Sequence, residues 1–343
     1  MQLYNKLSAE ERRKLLEQVG SDRLTLSFYQ YHQIENPQIF RDYLFLHWNE
    51  MDILGRIYVA YEGINAQLSL PATRFNDFKT FLDRISFLKG VRLNIAMEHD
   101  NLSFLKLTIK IREKILADGL NDATFDLTQK GIHLNVEDFN AFLADPDTVC
   151  VDMRNHYESE IGHFKGAIIP DVDTFRESLT LIEKDLSELK EDKKLLMYCT
   201  GGIRCEKASA YFKHKGFKNV FQLEGGIIEY ARQVNEKGLE NHFIGKNFVF
   251  DERLGERISE DVIAHCHQCG TPFDSHVNCA NEACHLLFIQ CESCQETMES
   301  CCSSDCQEIV NLPEEVQIKL RKGHHKSNLI FKKGRSEVLK FKH

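Results

Sequence analysis

The sequence predicts a chain of several domains, of mixed α/β and α+β class, and three patterns predict it. Strand-like and helix-like segments alternate in the order βαββαβ across residues 24–111. A buried-type strand runs into a glycine-rich turn and a helix around Cys199, and nine cysteines crowd between Cys266 and Cys306. A chain of 343 residues with 42% apolar and 28% charged residues can fill two or three cores. The expected boundaries are an N-terminal helix over 1–23, a first domain over 24–117, a linker over 118–134, a second domain over 135–240, a cysteine-rich region over 241–311, and a helix with a basic tail over 312–343.

The first twenty residues read as a charged amphipathic helix, with Leu15, Leu16 and Val19 on its apolar side. Leu24–Tyr29 reads as a strand, and a helix is expected around Pro37–Tyr43. Gly55–Ala60 and Ile64–Ser69 are strand candidates hinged at Glu62-Gly63. A second helix fits Ala72–Phe87, opened by Pro71, and Val91–Ala96 closes the pattern. This order suggests a ferredoxin-like sheet with both helices on one face, which by itself names no function. Asp118-Gly119-Leu120-Asn121-Asp122 breaks the pattern, and the second domain begins as a helix near Asn135–Phe139 and ends near Val234.

The run Cys199-Thr200-Gly201-Gly202-Ile203-Arg204 follows the apolar strand Lys194–Tyr198 and precedes the helical stretch Cys205–Phe212. Gly201 and Gly202 let the backbone curl so that successive N–H groups and the positive end of the helix point at one sulfur. Such a cradle favours a thiolate or a persulfide, which makes Cys199 the candidate nucleophile and Arg204 its cationic partner. Cys205, on the first turn of the helix, is either a packing residue or a secondary, resolving thiol. Four residues separate Cys199 from Arg204, one fewer than a loop sized for a tetrahedral phosphate. The loop resembles that of a rhodanese domain. Val151-Asp152-Met153-Arg154, Gly162-His163-Phe164-Lys165-Gly166-Ala167 and Leu223-Glu224-Gly225-Gly226-Ile227-Ile228-Glu229-Tyr230 extend the resemblance, with Phe164 where Ile is usual and Tyr230 where Trp is usual. It implies a rhodanese-like parallel α/β domain.

The cysteine cluster offers Cys266-x2-Cys269, Cys279-x4-Cys284, Cys291-x2-Cys294 and Cys301-Cys302-x3-Cys306. Short turns of this kind aim two sulfurs at one ion, and so small a region needs such a staple to fold. Two structural Zn2+ sites are expected, Cys266/Cys269 with Cys291/Cys294, and Cys279/Cys284 with Cys306 plus Cys301 or Cys302. An iron–sulfur cluster is the rival, and His265, His267, His276 and His285 are alternative corners.

Charge is spread unevenly. From Lys319 to His343 nine cations (Lys319, Arg321, Lys322, Lys326, Lys332, Lys333, Arg335, Lys340 and Lys342) face Glu337 alone, so this stretch carries +8 of a chain whose net charge is −9, leaving −17 elsewhere. The asymmetry suggests an RNA-binding arm. With no apolar run long enough to span a bilayer and no signal segment, no membrane is implied and a cytoplasmic location is expected; in that reducing compartment twelve cysteines argue for metal or reactive thiols. Nothing in the sequence defines an oligomeric state.

The ferredoxin-like front with Glu62-Gly63-Ile64-Asn65, the loop Cys199 to Ala208, and the cysteine-rich end from Cys266 to Cys306 together resemble the bacterial rhodanese-domain tRNA uridine hydroxylases. The resemblance implies hydroxylation of the wobble uridine of tRNA to 5-hydroxyuridine, with O2 as co-substrate and Cys199 as the catalytic residue. One coherent route has Cys199 adding to C6 of the uracil, which enriches C5 in electrons. No flavin or nicotinamide motif accompanies it. The fragment His156-Tyr157-Glu158 is the one His-x-Glu pair of metal-triad type, and without a second histidine it reads as a surface turn. A sulfurtransferase passing a persulfide from Cys199 to tRNA or a carrier protein is the alternative, and an RNA-binding module with a vestigial loop is a third reading.

Overall fold

Alternation of apolar side chains along the first strands sets the N-terminal domain. The computed structural model describes residues 13, 14, 16, 22–98, 100–120, 125–322 and 335–341. Most of the expected N-terminal helix, including Leu15 and Val19, lies outside them, as do Asn121 and Asp122 of the linker and Lys326, Lys332, Lys333 and Lys342 of the tail. The chain divides into two units. One comprises residues 1–148, 189–240 and 249–253, the other 149–188, 241–248 and 254–343.

In the first unit, β1 (Arg23–Tyr31), β2 (Leu54–Ala60), β3 (Gly63–Pro71), β4 (Asn94–Ile95) and β5 (Leu107–Ile111) form a sheet in the order β4-β1-β3-β2-β5. The first four strands have the ferredoxin-like order and pair antiparallel. β4 retains two ladder residues of the expected Val91–Ala96 strand. β5 was not expected; it joins β2 in parallel register, a partner some fifty positions away along the chain that local patterning does not reveal. Leu26, Phe28, Ile57, Val59, Ile64, Ala66 and Leu68 project to one side, where they meet Leu44, Phe45 and Trp48 of the helix Pro37–Glu50 and Phe78, Phe81 and Leu82 of the helix Phe75–Asp83. Both helices therefore cover the same face. Trp48 packs edge-on against Phe28 and Phe78, with centroids 6.4 and 5.8 Å apart. The second helix is shorter than expected, because a 3₁₀ turn at Ala72–Arg74 precedes it and another at Ser86–Leu88 follows.

The opposite face of this sheet is polar. Register places Ser27, Gln67, Arg56 and Thr108 in one row across β1, β3, β2 and β5, with Tyr29, Asn65, Tyr58 and Lys110 in the next. Leu16, Leu54 and Phe104 form a small apolar cluster of their own in this unit.

The remaining strands of the α/β region are β6 (Ile132–Leu134), β7 (Thr148–Asp152), β8 (Gly162–Phe164), β9 (Lys194–Tyr198) and β10 (Asn219–Leu223). Within the first unit β10 runs parallel to both β6 and β9. The helix Val136–Leu143 starts where Asn135 accepts the Asp138 N–H.

In the second unit β8 pairs antiparallel with β11 (Phe243–Asn247), which pairs with β12 (Glu256–Arg257). Arg154 is fully buried; it grips Asp152 at 2.7 Å and donates to the Gly162 carbonyl at 2.6 Å, so the end of β7 is fastened to the start of β8. A short hairpin of β13 (His276–Asn278) and β14 (Leu287–Ile289) serves the cysteine-rich region. No helix among the described residues is long and apolar enough to cross a membrane.

Trp48 is the only tryptophan of the chain, so its emission reports the first core. Phe78→Ala empties part of that core and is expected to cost about 3–5 kcal/mol. The Trp48 emission should then shift at distinctly lower urea than in the unaltered protein; an unmoved transition would place Phe78 outside the cooperative core.

Candidate active site and metal centres

β9 ends in the buried sulfur of Cys199, and four residues later the chain is already helical, over Ile203–His214. Gly202 caps this helix at φ 96°, and a Cβ there would lie 2.9 Å from the Tyr29 hydroxyl oxygen. Its N–H donates to Cys199 Sγ at 3.2 Å. The loop carbonyls are held from the other side. Ile227 N–H donates to the Cys199 carbonyl at 3.0 Å and Ile228 N–H to the Thr200 carbonyl at 3.2 Å. Gly226, at φ 67°, makes this approach possible, since a Cβ there would lie 2.5 Å from the Cys199 carbonyl oxygen. The N-terminus of the helix Gly226–Lys237 thus takes the carbonyls away from the sulfur and leaves N–H groups facing it.

The electrostatics follow from this arrangement. Burial pushes the Cys199 thiol up, but the Cys205 side chain as hydrogen-bond donor, the Arg204 guanidinium, and the Cys205 and Arg204 backbone N–H groups outweigh it and lower the thiol to about 6. Arg204 is itself buried, its guanidinium 5.8 Å from the centre of the Phe250 ring. Cys199, Arg204 and Cys205 are therefore brought together, with Thr200 buried and Gly201 and Ile203 half-buried beside them.

Several residues of the site were not singled out from sequence. Asn94 donates from Nδ2 to the Gly201 carbonyl at 3.2 Å, and Tyr29 reaches Glu206 at 3.2 Å. Lys207 is fully buried, with Nζ 2.6 Å from both Glu62 and Asp118 and 5.6 Å from the centre of the Tyr31 ring. Burial works against its charge, yet Asp118 and Glu62 outweigh it and raise the amine above its ordinary value. Burial likewise raises the Glu206 carboxyl, while His133 and Lys130 at 2.7 and 2.6 Å lower it further than burial lifts it. The helix behind Cys199 is thus bolted by charge to the ferredoxin-like domain. Glu62-Gly63-Ile64-Asn65 explains itself here: Glu62 accepts from Ile115 N–H and holds Lys207, Gly63 passes the Gln30 carbonyl where a Cβ would come within 2.1 Å, and Asn65 donates to the Ile115 carbonyl. No local pattern marks Lys207 as buried, because its partners Glu62 and Asp118 lie far along the chain.

The segment around His156 is not a surface turn. It is a short helix, His156–Ser159, whose four residues are buried; Glu158 accepts the Asn155 N–H, and His156 Nδ1 faces the Val172 carbonyl at 3.1 Å. Packing against Val172 takes the imidazole inward, and among the described residues neither side chain joins a metal-ligating group.

Two cysteine tetrads are positioned to hold metal ions. The sulfurs of Cys266, Cys269, Cys291 and Cys294 lie within 4.8 Å of one another, and so do those of Cys279, Cys284, Cys302 and Cys306. Contacts of 3.6 Å between Cys269 and Cys291, 3.6 Å between Cys284 and Cys302, and 3.8 Å between Cys302 and Cys306 match the edge, about 3.8 Å, of a tetrahedron with metal–sulfur bonds of about 2.3 Å. Backbone N–H groups of Cys291 and Cys302 donate to Cys266 and Cys279 Sγ at 3.3 and 3.4 Å, which supports thiolates at both. Cys301 stands outside both tetrads; its carbonyl accepts from Gln268 and Gln290. No histidine joins either tetrad among the described residues. His267 instead holds Glu160 at 2.7 Å.

Two of the described tail cations are paired within the chain. Arg321 is paired with Glu282, and Arg335 with Asp171 and Asp173. Lys319 and Lys322 are placed at the end of the helix Glu314–Arg321. Leu339 is buried against Cys279 and Leu286, and Phe341 N–H donates to the His267 carbonyl at 2.9 Å, so residues 335–341 lie on the cysteine-rich region.

Fold and loop together define a rhodanese-type enzyme domain flanked by an accessory domain and a metal-binding module. Family models agree: residues 23–115 match a UPF0176 acylphosphatase like domain, residues 135–233 a Rhodanese-like domain, and residues 244–307 a Rhodanase C-terminal region. A tRNA uridine(34) hydroxylase of Leptospira interrogans is 54% identical over 97% of this chain and 90% of its own length. Proteins of the same name from an Enterobacter strain and from Pectobacterium atrosepticum are 52% and 53% identical, covering 98% and 97% of this chain and 96% and 94% of theirs. Among solved structures, a rhodanese-like domain from Anabaena aligns with 33% of this chain and 78% of its own at 20% identity, with a TM-score of 0.27. The chain belongs to the tRNA uridine(34) hydroxylase family.

Alkylation of Cys199 by iodoacetamide should rise with pH through a midpoint near 6 and level off above it, because the thiolate is the reacting form. Arg204→Lys should move that midpoint up, since an ammonium lacks the planar fork; an unchanged profile would remove Arg204 from the charge balance. Lys207→Met removes the buried cation that Glu62 and Asp118 share, leaving Asp118 only Lys114 at 2.8 Å, and is expected to destabilise the first unit by about 3 kcal/mol. Thermal unfolding followed at several pH values would reveal it, with partial recovery as the carboxylates are protonated.

Proposed function

We propose that this chain hydroxylates the wobble uridine, position 34, of tRNA to 5-hydroxyuridine, with O2 as co-substrate and Cys199 as the thiolate that engages the base. The observation that supports it most is identity of 52–54% over nearly the whole of this chain and of its relatives named tRNA uridine(34) hydroxylase. The site's chemistry is compatible. A sulfur lowered to about 6 is a thiolate at neutral pH, ready to add to an electrophilic carbon such as C6 of uracil. Arg204 and the Thr200–Ile203 backbone would hold negative charge beside it, and Cys205 would donate a hydrogen bond to the sulfur, a role that leaves it a secondary thiol.

Both tetrads suit Zn2+. All-thiolate, closed sets of four leave no open position, so the metal would serve the folding of the cysteine-rich region and supply no step of the reaction. Lys319 and Lys322, with Lys326, Lys332 and Lys333 outside the described residues, add positive charge for tRNA, while Arg321 and Arg335 spend theirs on internal carboxylates. A cytoplasmic location fits a chain rich in reduced thiols.

Purified protein should contain about two zinc ions per chain, and chelation should unfold the cysteine-rich region while the pH profile of Cys199 alkylation persists. Stoichiometric iron with visible absorbance would replace zinc by an iron centre. Cys199→Ser should keep the fold and abolish the one-oxygen mass gain of uridine in nucleosides from treated tRNA. Appearance of a thiolated base in place of that gain would transfer the assignment to sulfur transfer.

A further inference from the structure

Helices bury one face of the ferredoxin-like sheet; on the other, beside the Cys199 loop, Ser27, Gln67, Thr108 and Tyr58 are half-buried and Arg56 and Lys110 exposed. Gly201 and Gly202 sit against its β4–β1 side, where added Cβ atoms would lie 3.4 Å from Asn94 Nδ2, 3.8 Å from Ser27 Oγ and 2.9 Å from the Tyr29 hydroxyl. From there the row Ser27, Gln67, Arg56, Thr108 runs outward, with Tyr58 and Lys110 in the adjoining row. At a strand spacing of about 4.8 Å, Arg56 stands about 10 Å and Lys110 about 14 Å from β1.

The charges on this face are unusual for a chain of net −9. Arg56, Lys106, Lys110 and Arg112 are all exposed. None is paired with a carboxylate among the described residues. Arg112 lies 5.6 Å over the half-buried Tyr58 ring, which fixes an aromatic plane between the cations. Cations with an aromatic plane between them suit a single-stranded polynucleotide, whose phosphates follow the charges while a base stacks on the ring. We propose that this face is the platform for the single-stranded anticodon loop of tRNA, carrying its phosphates on Arg56, Lys110 and Arg112 and a base next to Tyr58, so that the nucleotide to be modified is presented at the Gly201–Gly202 edge. The proposal rests on the tRNA reading above and adds to it the surface that orients the substrate. It also separates two duties of the domain: Glu62 and Tyr31 bolt it to the helix behind Cys199, and the outer rows remain for the RNA.

The test measures binding of the full-length protein to an unmodified tRNA anticodon stem-loop with uridine at position 34, over a range of salt. Arg56→Glu with Lys110→Glu should weaken affinity at least about tenfold and flatten the slope of log K against log salt by about 1.4, the share of two phosphate contacts on a single strand. Tyr58→Ala should weaken binding about tenfold with the slope unchanged, and Tyr58→Phe should retain it. The Cys199 alkylation profile and the unfolding temperature of each variant should match the unaltered protein, which shows that fold and loop are intact. Equal affinity of the sheet variants, or loss of affinity only when Lys319 and Lys322 are reversed to Glu, would overturn the platform while leaving the hydroxylase reading standing. No binding by the unaltered protein, with its Cys199 reactive, would overturn the platform and the tRNA reading with it. An acidic protein that competes with the stem-loop for the unaltered surface but not for the Arg56/Lys110 variant, in the absence of any RNA effect, would reassign the face to that protein.

Discussion

A buried sulfur whose thiol is held down to about 6 is the constraint to which the centre of this protein is fitted. Desolvation alone would keep Cys199 protonated, so every group around it must either donate to it or stay out of its way. Gly202 N–H donates. The carbonyls of Cys199 and Thr200, which would repel it, are taken by the first N–H groups of the helix Gly226–Lys237. Two helix N-termini therefore cooperate, one facing the sulfur and the other removing its competitors. Gly226 is indispensable to the second because any side chain there would meet the carbonyl that must be gripped.

The same logic explains why the helix behind the loop buries charge. Arg204, Glu206 and Lys207 occupy its first five residues and are all buried, an arrangement that is tolerable only with partners at hydrogen-bond distance. Glu62 and Asp118 supply them for Lys207, His133 and Lys130 for Glu206. Because these partners come from the ferredoxin-like domain and the segment after it, the helix cannot shift without breaking ion pairs, and the geometry at the sulfur inherits that rigidity. The ferredoxin-like sheet thus has two distinct faces: an apolar one that makes its own core and a polar one that braces the Cys199 loop.

The cysteine-rich region is stabilised by another means. Its strands are three residues long and its core cluster is made largely of cysteines, with Leu286, Phe288 and Leu339 among them. So small an apolar content does little to offset chain entropy, and two sets of four sulfurs, each within 4.8 Å of one another, are positioned to take a metal ion as a staple. N–H groups directed at Cys266 and Cys279 show the backbone already shaped for thiolate charge.

Sequence alone determined the elements whose causes are local. The alternation of Leu26 and Phe28 or Ile64 and Leu68 specifies strands, Asn135 specifies a helix start, and Cys199 to Arg204 specifies a sulfur cradle, because each depends on spacing along a few residues. Paired cysteines likewise announced metal chemistry, but the choice of Cys302 over Cys301 as a neighbour of Cys279, Cys284 and Cys306 depends on which sulfur the turn after Met298 directs inward. Sequence could not assign β5 to β2, take His156 inward, or distinguish Arg335, paired with Asp171 and Asp173, from a free cation of the tail. Nor could it recognise Asn94, Tyr29 and Lys207 as parts of the site. Those residues act through partners about a hundred positions away or more, and the strength of a hydrogen bond or a buried ion pair depends on distance in space, which only the tertiary fold decides.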